Sequence, residues 1–236
     1  IAVAIKAKIL SEFNLFHDDC IVIEKTAIGA HWSGDAGFTD GDLTLGTPPE
    51  KDLVFPIDFS CIDHDLSSRI SARLQEFTWA AYLQQTAQWI DWIDRGKPLP
   101  THRAFAAYLN WAAQQLTPTV KFIYSEVMQI HLSADKTTWQ LDLNNGATLD
   151  AHHLLLTGPG ELHTDYLKDS KLPEKVFDLR NFWPALAKQQ FDKTARTALV
   201  GAGENAASIL IALSQYAPQM AVDIITSKGY LSVRAE

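Results

Sequence analysis

Residues 197–209 read Thr-Ala-Leu-Val-Gly-Ala-Gly-Glu-Asn-Ala-Ala-Ser-Ile, and this stretch decides the fold. An apolar run leads into Gly-x-Gly-x-x-Ala and then into a helix-forming segment, which is the strand–turn–helix order of a dinucleotide-binding unit. In such a unit Gly201 permits the tight turn, Gly203 lets the backbone approach a pyrophosphate, and the small Ala206 lets the helix pack closely on the strand. The N–H groups at the helix N-terminus would bind the anion. The sequence therefore predicts a nucleotide site here.

The next predicted strand, 221–226, indicates which nucleotide is preferred. It ends in Thr226-Ser227-Lys228, where an NAD-specific unit would carry an acid. Hydroxyl groups and an ammonium accept a 2′-phosphate, whereas a carboxylate repels it, so the charge pattern favours NADP(H) over NAD(H). The alternative is that Lys228 is a solvated surface lysine.

The start of the chain resembles the second half of another dinucleotide unit. Residues 1–15 have apolar side chains at helical spacing, and Cys20–Glu24 is a short apolar run closed by an acid, which predicts a helix followed by a buried parallel strand. The acid would accept hydrogen bonds from an adenosine ribose. The alternative is an ordinary helix–strand pair that ends in a chance Glu. Because no strand and glycine turn precede Ile1, we expect that the chain begins just past a phosphate-binding loop.

The chain between these units gives five further predictions. They are a long ordered loop over 29–60, amphipathic helices over 74–94 and 101–116, a β-hairpin or meander over 120–149 with its turn at 144–146, and a buried strand over 152–158 that ends in a glycine turn. Thr101 follows Pro100 and is the expected N-cap of the second helix.

Composition excludes several classes of protein. A formal net charge of −8 without any basic run argues against a nucleic-acid surface. The apolar stretches are too short to span a bilayer, so we expect no membrane partner and a cytoplasmic location. Cys20 and Cys61 have neither CxxC nor disulfide-scaffold spacing, which favours a reducing compartment. His152 and His153 lack a third ligand nearby, so no metal site is expected.

Three motifs add a family resemblance. They are Gly-Ala-His-Trp-Ser-Gly at 29–34, Leu-Gly-Thr-Pro-Pro-Glu-Lys-Asp-Leu at 45–53, and His-Arg-Ala-Phe-Ala-Ala-Tyr-Leu-Asn-Trp-Ala-Ala at 102–113. Together with the Gly201 turn they resemble the lysine and ornithine N-monooxygenase family over essentially the whole chain. Within that family the chain resembles in particular the lysine-hydroxylating branch of mycobactin and nocobactin biosynthesis.

The resemblance implies an α/β fold with two Rossmann-like domains, for FAD and NADPH, together with a β-meander and a helical substrate region. We place the FAD domain with its substrate-region loops and helices at 1–160, and a partial NADPH domain at 161–236. The implied cofactor and substrate residues fall into five groups. They are Glu24 and Lys25 for FAD, with Glu24 at the adenosine ribose; Trp32, Leu45 and Gly46 near the flavin ring; Gly201, Gly203, Glu204 and Asn205 at the NADPH pyrophosphate; Ser227 and Lys228 at the 2′-phosphate; and Lys51 at the substrate amino acid.

The chain also departs from the family pattern. Gly46 stands where ornithine enzymes carry a Gln against the flavin, and Glu204, Asn205 and Ser208 replace the usual Gln, Ser and Glu. Family members continue well beyond Glu236, so we expect a chain truncated at both ends.

The implied activity is FAD- and NADPH-dependent N-hydroxylation of a primary amine in siderophore biosynthesis. In this family NADPH reduces the flavin, O₂ adds to it, and the resulting hydroperoxide passes its distal oxygen to the amine, so the resemblance implies no catalytic side chain. The substrate would be the side-chain amine of L-lysine or L-ornithine, or a decarboxylated amine such as histamine or a diamine. We also expect a homo-oligomer. Two alternatives remain, namely another two-dinucleotide flavoprotein oxidoreductase and a non-catalytic nucleotide-binding fragment.

Overall fold

The computed structural model describes residues 1–36, 39–50, 52–55, 63–117, 119–157, 175–227 and 229. Within them the elements follow in the order α1 (Ala2–Glu12), β1 (Ile21–Glu24), α2 (Ala30–Ser33), α3 (His64–Gln75), α4 (Trp79–Gln85), α5 (Trp89–Asp94), α6 (His102–Leu116), β2 (Lys121–Tyr124), β3 (Val127–Leu132), β4 (Trp139–Leu143), β5 (Thr148–Ala151), α7 (Leu179–Ala187), β6 (Thr197–Val200), α8 (Glu204–Tyr216) and β7 (Val222–Ile225). This is a mixed α/β architecture, as predicted. The described strands form a parallel pair β1–β2, an antiparallel meander β3–β4–β5 and a parallel pair β6–β7.

The N-terminal helix and strand are confirmed, with one correction. Helix α1 buries Ile5 and Ile9 completely, as the spacing predicts. Strand β1 is parallel to β2, with Ile21 opposite Lys121. The prediction of a fully buried strand is wrong, because Ile21 is 40% exposed. Within the described residues β2 is the only strand paired with β1, so the sheet covers β1 on one edge alone.

The segment after α6 contains a strand that the sequence did not separate from the meander. Residues 121–124 form β2, which pairs in parallel with β1 about a hundred positions earlier in the chain. The meander itself is confirmed over β3, β4 and β5. Its predicted turn has Gly146 at φ +81°, and the Gly146 N–H donates to the Leu143 carbonyl at 3.0 Å.

The single helix predicted over 74–94 is wrong, since three helices cover this region. Helix α3 ends at Gln75, and Thr78 then caps α4 by accepting the Ala81 N–H at 3.2 Å. Ala87 adopts φ +57°, a left-handed conformation that separates α4 from α5. The cap predicted for α6 is confirmed, because the Thr101 hydroxyl accepts the Ala104 N–H at 3.2 Å.

The buried strand predicted over 152–158 is also wrong where the structure describes it. Residues 152–157 are irregular, and Leu155 and Leu156 are 62% and 73% exposed. A buried strand must pair its backbone groups, and no strand in the described ranges pairs with this segment. Gly158 and the predicted domain boundary between 160 and 161 lie outside the described residues.

Three apolar clusters hold the elements together. The first joins α1, α3 and α6 around Ile5, Ile70 and Leu116, and the second joins α4, α5 and α6 around the fully buried Tyr108. The third joins α7 and α8 around Phe182, Trp183 and Leu213, together with Leu43 from the long loop. In the part of the chain that the structure describes, none of the helices is long and apolar enough to cross a membrane.

Candidate functional site

The glycine turn between β6 and α8 has the predicted geometry. Gly201 adopts φ +117°, and its N–H donates to the Ile225 carbonyl on β7 at 2.9 Å. Gly203 is the N-cap of α8, and a Cβ built at either glycine meets no atom within 4 Å. The Ala207 N–H donates to the Gly203 carbonyl at 3.1 Å and opens the helical pattern. The N–H groups before Ala207 therefore face out of the helix end toward an open surface.

The second predicted element of this site lies at the same edge of the sheet. Strands β6 and β7 are parallel, with Val200 opposite Ile225, so their carboxyl ends are neighbours. Ser227 is the second residue after β7 and is exposed. The carboxyl edge of parallel strands is where nucleotides bind in α/β folds. Lys228 lies outside the described residues.

The acid predicted at the first unit lies at the end of β1. Glu24 is half-buried, and its Oε1 accepts the Thr26 N–H at 3.0 Å. A carboxylate offers about four lone-pair sites, so this contact leaves acceptor capacity for a ribose. The neighbouring Lys25 pairs with Glu126, a contact that the sequence did not predict.

Trp32 lies on the short helix α2 inside a cage of aromatic rings. Its ring centroid is 4.9 Å from that of His102, 5.8 Å from that of Phe105 and 5.1 Å from that of His31, and all three contacts are edge-to-face. Gly29, which caps α2, approaches α6 so closely that an added Cβ would lie 3.1 Å from Ala106. Trp32 is half-buried, so part of the residue remains accessible.

Arg103 ties the loop after α2 to the start of α6. Its guanidinium donates to the carbonyls of Ser33 at 2.7 Å and Asp40 at 3.0 Å, and it lies 3.6 Å from an oxygen of Asp42. Gly41 has φ +82°, and a Cβ there would be 2.8 Å from the guanidinium. The glycine is therefore required by its backbone conformation, and a Cβ would also lie only 2.7 Å from the backbone carbonyl oxygen of Ser33.

Backbone hydrogen bonds extend this attachment to Leu45. The His102 N–H donates to the Leu43 carbonyl at 2.8 Å, and the Leu45 N–H donates to the Pro100 carbonyl at 2.9 Å. His102 Nδ1 lies 2.7 Å from the Oγ1 of Thr39, which is only 3% exposed. Burial lowers the pKa of His102. The loop over residues 39–45 is thus fixed on the N-terminus of α6.

The two predicted cofactor regions meet at Gly46. Leu45 is buried, whereas Gly46 is exposed, and a Cβ built on Gly46 would lie 3.4 Å from Oε1 of Glu204, the first residue of α8. Leu43 packs against the α7–α8 cluster on the same side. The structure therefore brings the loop predicted for the flavin ring against the turn predicted for the pyrophosphate. Asn205 is exposed beside Glu204 on the first turn of α8.

Lys51 lies outside the described residues, but the segment beside it is well anchored. Asp52 accepts the N–H groups of Trp79 at 2.9 Å and Val54 at 3.2 Å. Burial raises the pKa of Asp52. The buried Tyr108 hydroxyl lies 3.4 Å from the Leu53 N–H, which donates to it.

Sequence reasoning missed the groups that position the site. Thr39 gave no local signal, because its partner His102 is 63 residues away. His102 and Arg103 lay inside a quoted motif, and their place directly after the Thr101 cap indicated that they occupy the first turn of a helix. Among the described residues, no three His, Cys, Asp or Glu side chains are arranged to hold a metal ion.

Comparison with known proteins gives one family match. The model of the family described as L-lysine 6-monooxygenase/L-ornithine 5-monooxygenase matches residues 64–234. The L-lysine N6-monooxygenases MbtG of Mycolicibacterium paratuberculosis and of Mycobacterium tuberculosis are 32% and 33% identical over all 236 residues. The chain covers 53% and 52% of these two proteins, so it spans about half the length of the curated relatives it matches.

Two solved structures are similar in fold. The lysine monooxygenase NbtG from Nocardia farcinica, described as having an unprecedented NADPH domain conformation, superposes with a TM-score of 0.82 at 30% identity, over 97% of this chain and 55% of that one. The ornithine N-hydroxylase KtzI from Kutzneria sp. 744 has a TM-score of 0.66 at 20% identity, over 100% of this chain and 52% of that one. At that identity the second similarity shows the fold alone.

Proposed function

Because this chain belongs to the L-lysine 6-monooxygenase/L-ornithine 5-monooxygenase family, we propose that it forms part of an FAD- and NADPH-dependent enzyme that hydroxylates a side-chain amine. The observation that carries the proposal is the proximity of Gly46 to the Glu204 side chain, which puts the loop predicted for the flavin beside the turn predicted for NADPH. Hydride transfer requires the two cofactors to bind close to each other, and neighbouring cofactor regions are compatible with this.

The described residues fit the two cofactors. Gly201 and Gly203 leave an open surface at the α8 N-terminus that any side chain would begin to fill, as a pyrophosphate site demands. Glu24 ends a parallel strand and retains acceptor capacity for an adenosine ribose. Trp32 offers a partly exposed aromatic residue at the loop proposed for the flavin ring.

Each residue group would have a separate role. In the proposal FAD is bound by Glu24, Lys25, Trp32, Leu45 and Gly46, NADPH by Gly201, Gly203, Glu204, Asn205, Ser227 and Lys228, and the substrate by Lys51. Glu204 would contribute its backbone N–H at the start of α8, not its carboxylate. When bound, the cofactors supply the redox chemistry and the activation of O₂. The protein orients the reactants and excludes water.

L-Lysine is the favoured substrate, since the relatives at 32–33% identity are L-lysine N6-monooxygenases. A lysine side-chain amine has a pKa of roughly 10.4 in water, and only its neutral form is a nucleophile, so the pocket must favour the deprotonated amine. Lys51 would pair with the substrate carboxylate. Siderophore biosynthesis as the pathway, a cytoplasmic location and a homo-oligomeric assembly belong to the same proposal.

A flavin spectrum and a substrate screen test the proposal. The protein containing this chain should purify with bound FAD and should form hydroxylamine from L-lysine only when both NADPH and O₂ are present. L-Ornithine, histamine and cadaverine serve as competing substrates in the same screen. A colourless protein that takes up no FAD would overturn the proposal and favour a non-catalytic nucleotide-binding protein, whereas a flavoprotein without hydroxylamine formation would favour another oxidoreductase.

The Gly203→Ala variant links the activity to the turn. Gly203 has φ −86°, and a Cβ there has open space, so the substitution is compatible with the folded chain. The added methyl group would lie where the pyrophosphate approaches the backbone, so NADPH affinity should fall while thermal stability is kept. Ala207→Ser, an exposed change later on α8, is the matched control. Equal NADPH affinity in both variants would show that the nucleotide binds elsewhere.

A further inference from the structure

The contact between Thr39 and His102 defines which nitrogen of the histidine carries a proton. The Thr39 hydroxyl is buried, and its Oγ1 accepts the Gly41 N–H at 3.2 Å. Its second contact is His102 Nδ1 at 2.7 Å. If Nδ1 carried the proton, Oγ1 would receive two donors, and its own O–H would need an acceptor that the described residues do not show. Buried hydroxyl groups are rarely left without an acceptor, so Thr39 donates and Nδ1 accepts.

A neutral ring that accepts at Nδ1 has its proton on Nε2. The surroundings of His102 agree with a neutral ring. Burial lowers the pKa of His102, the charge of His31 on α2 lowers it further, and Asp40 on the loop partly opposes both effects. Arg103, the next residue on α6, lies 3.6 Å from Asp42 of the loop, so these two charges face each other.

The same ring contacts Trp32. The planes of His102 and Trp32 meet at 72° with 4.9 Å between centroids, an edge-to-face pair of the kind that fixes the orientation of both rings. Phe105, one turn further along α6, makes a second edge contact with the indole at 85°. A chain of contacts therefore runs from the buried hydroxyl through the imidazole to the indole.

We propose that His102 is a positioning residue for Trp32, held as a neutral imidazole by the hydrogen bond from Thr39 to Nδ1, and that protonation of His102 turns Nδ1 into a donor, leaves the Thr39 O–H without this acceptor and thereby reorients the imidazole and the indole. The consequence for cofactor binding rests on the proposed function, in which Trp32 lies beside the flavin ring. Protonation of the His102 imidazole at acid pH would then change the environment of the bound flavin. The backbone hydrogen bonds that attach the 39–45 loop to α6 would persist.

Nitrogen-15 NMR of the histidine and indole side chains tests the proposal without any cofactor. At neutral pH, His102 should have a protonated Nε2 and an unprotonated Nδ1. As the pH is lowered, the Trp32 indole N–H resonance should shift with the same midpoint pH as the His102 resonances. Thr39→Val removes the donor that favours the neutral ring, so the shared midpoint should rise by roughly 0.5–1 pH unit. Thr39→Ser keeps the hydroxyl and should keep the midpoint.

Two further variants separate His102 from its neighbours. His102→Asn should abolish the shift of the Trp32 resonance with pH, whereas His31→Asn should leave it in place. A neutral His102 that is protonated at Nδ1, a Trp32 resonance that follows His31 instead, or an unchanged midpoint in Thr39→Val would each overturn the proposal. Should Thr39→Val fail to fold, the wild-type spectrum and His102→Asn remain decisive. Near-ultraviolet circular dichroism of bound FAD, followed over the same pH range, tests the flavin separately.

Discussion

Replacing Glu204 by Gln should tighten NADPH binding and at the same time weaken the helix that this residue begins. Glu204 is the first residue of α8 and is exposed beside the open surface of the glycine turn. A phosphate bound there would lie roughly 5 Å from the carboxylate, where two unit charges repel by about 0.8 kcal/mol in water and by more in a partly desolvated site. We therefore expect a gain of about 1 kcal/mol, which is roughly a fivefold lower Kd.

The effect on stability should have the opposite sign. A carboxylate at a helix N-terminus interacts favourably with the helix dipole by about 0.3–1 kcal/mol, and Gln loses this interaction. For a chain of this size the loss corresponds to a fall of roughly 1–4 °C in Tm. We therefore expect the Glu204→Gln variant to have both a lower Kd for NADPH and a lower Tm than the wild type.

Calorimetric titration with NADP⁺ at low and high salt, on the FAD-loaded protein, measures the affinity. The gain should shrink at high salt, since ions screen exposed charges. Asp94→Asn, which removes an exposed carboxylate on α5, is the control for a change in net charge alone. Unchanged or weaker binding by Glu204→Gln at low salt, or an equal gain in Asp94→Asn, would refute the reasoning.

Two further predictions concern stability. Tyr108→Phe removes the buried hydroxyl that donates to the Phe77 carbonyl at 2.6 Å, so urea unfolding should show a loss of about 1–3 kcal/mol; a loss below about 0.5 kcal/mol would contradict this. The Arg73 guanidinium lowers the pKa of Glu12 below its usual 4.5, so the stability from this pair is present above about pH 4.5 and is lost as pH falls through the lowered pKa. Glu12→Gln should therefore be less stable than the wild type at pH 7, and the difference in urea midpoint should shrink as the pH falls below about 4.5. A difference that stays constant as the pH is lowered would contradict the assignment.

Sequence reasoning succeeded where all determinants of a structure lie close together in the chain. The β6 strand, the Gly201 turn and the α8 helix are specified within thirteen residues, and the structure has each of them in place. The cap at Thr101 and the turn at Gly146 are equally local. Such elements need no distant partner, because one side chain or one backbone conformation defines them.

The wrong predictions concern segments whose structure depends on residues far away in the chain. The apolar spacing over 74–94 is continuous, but Asp52 accepts the Trp79 N–H from 27 residues earlier in the chain and stabilises a helix start at that point. The apolar run over 152–157 has the composition of a strand, yet a strand also needs a neighbour, and composition does not supply one. Periodicity therefore indicates which face of a segment is apolar, while distant polar partners determine where the segment begins and ends.

The candidate site depends both on local sequence motifs and on the proximity of residues that are far apart in the chain. Gly46 and Glu204 were noted from the sequence as two unrelated departures from the family pattern, 158 positions apart. In the structure a Cβ at Gly46 would already touch the Glu204 carboxylate at 3.4 Å, so the longer side chain of Gln at position 46 would compete with Glu204 for the same space. The absence of a side chain at Gly46 and the carboxylate at Glu204 therefore act as one feature, in which each residue accommodates the other. A substitution at either position changes both the loop proposed for the flavin and the turn proposed for NADPH, and an affinity measured for one cofactor should be interpreted together with that for the other.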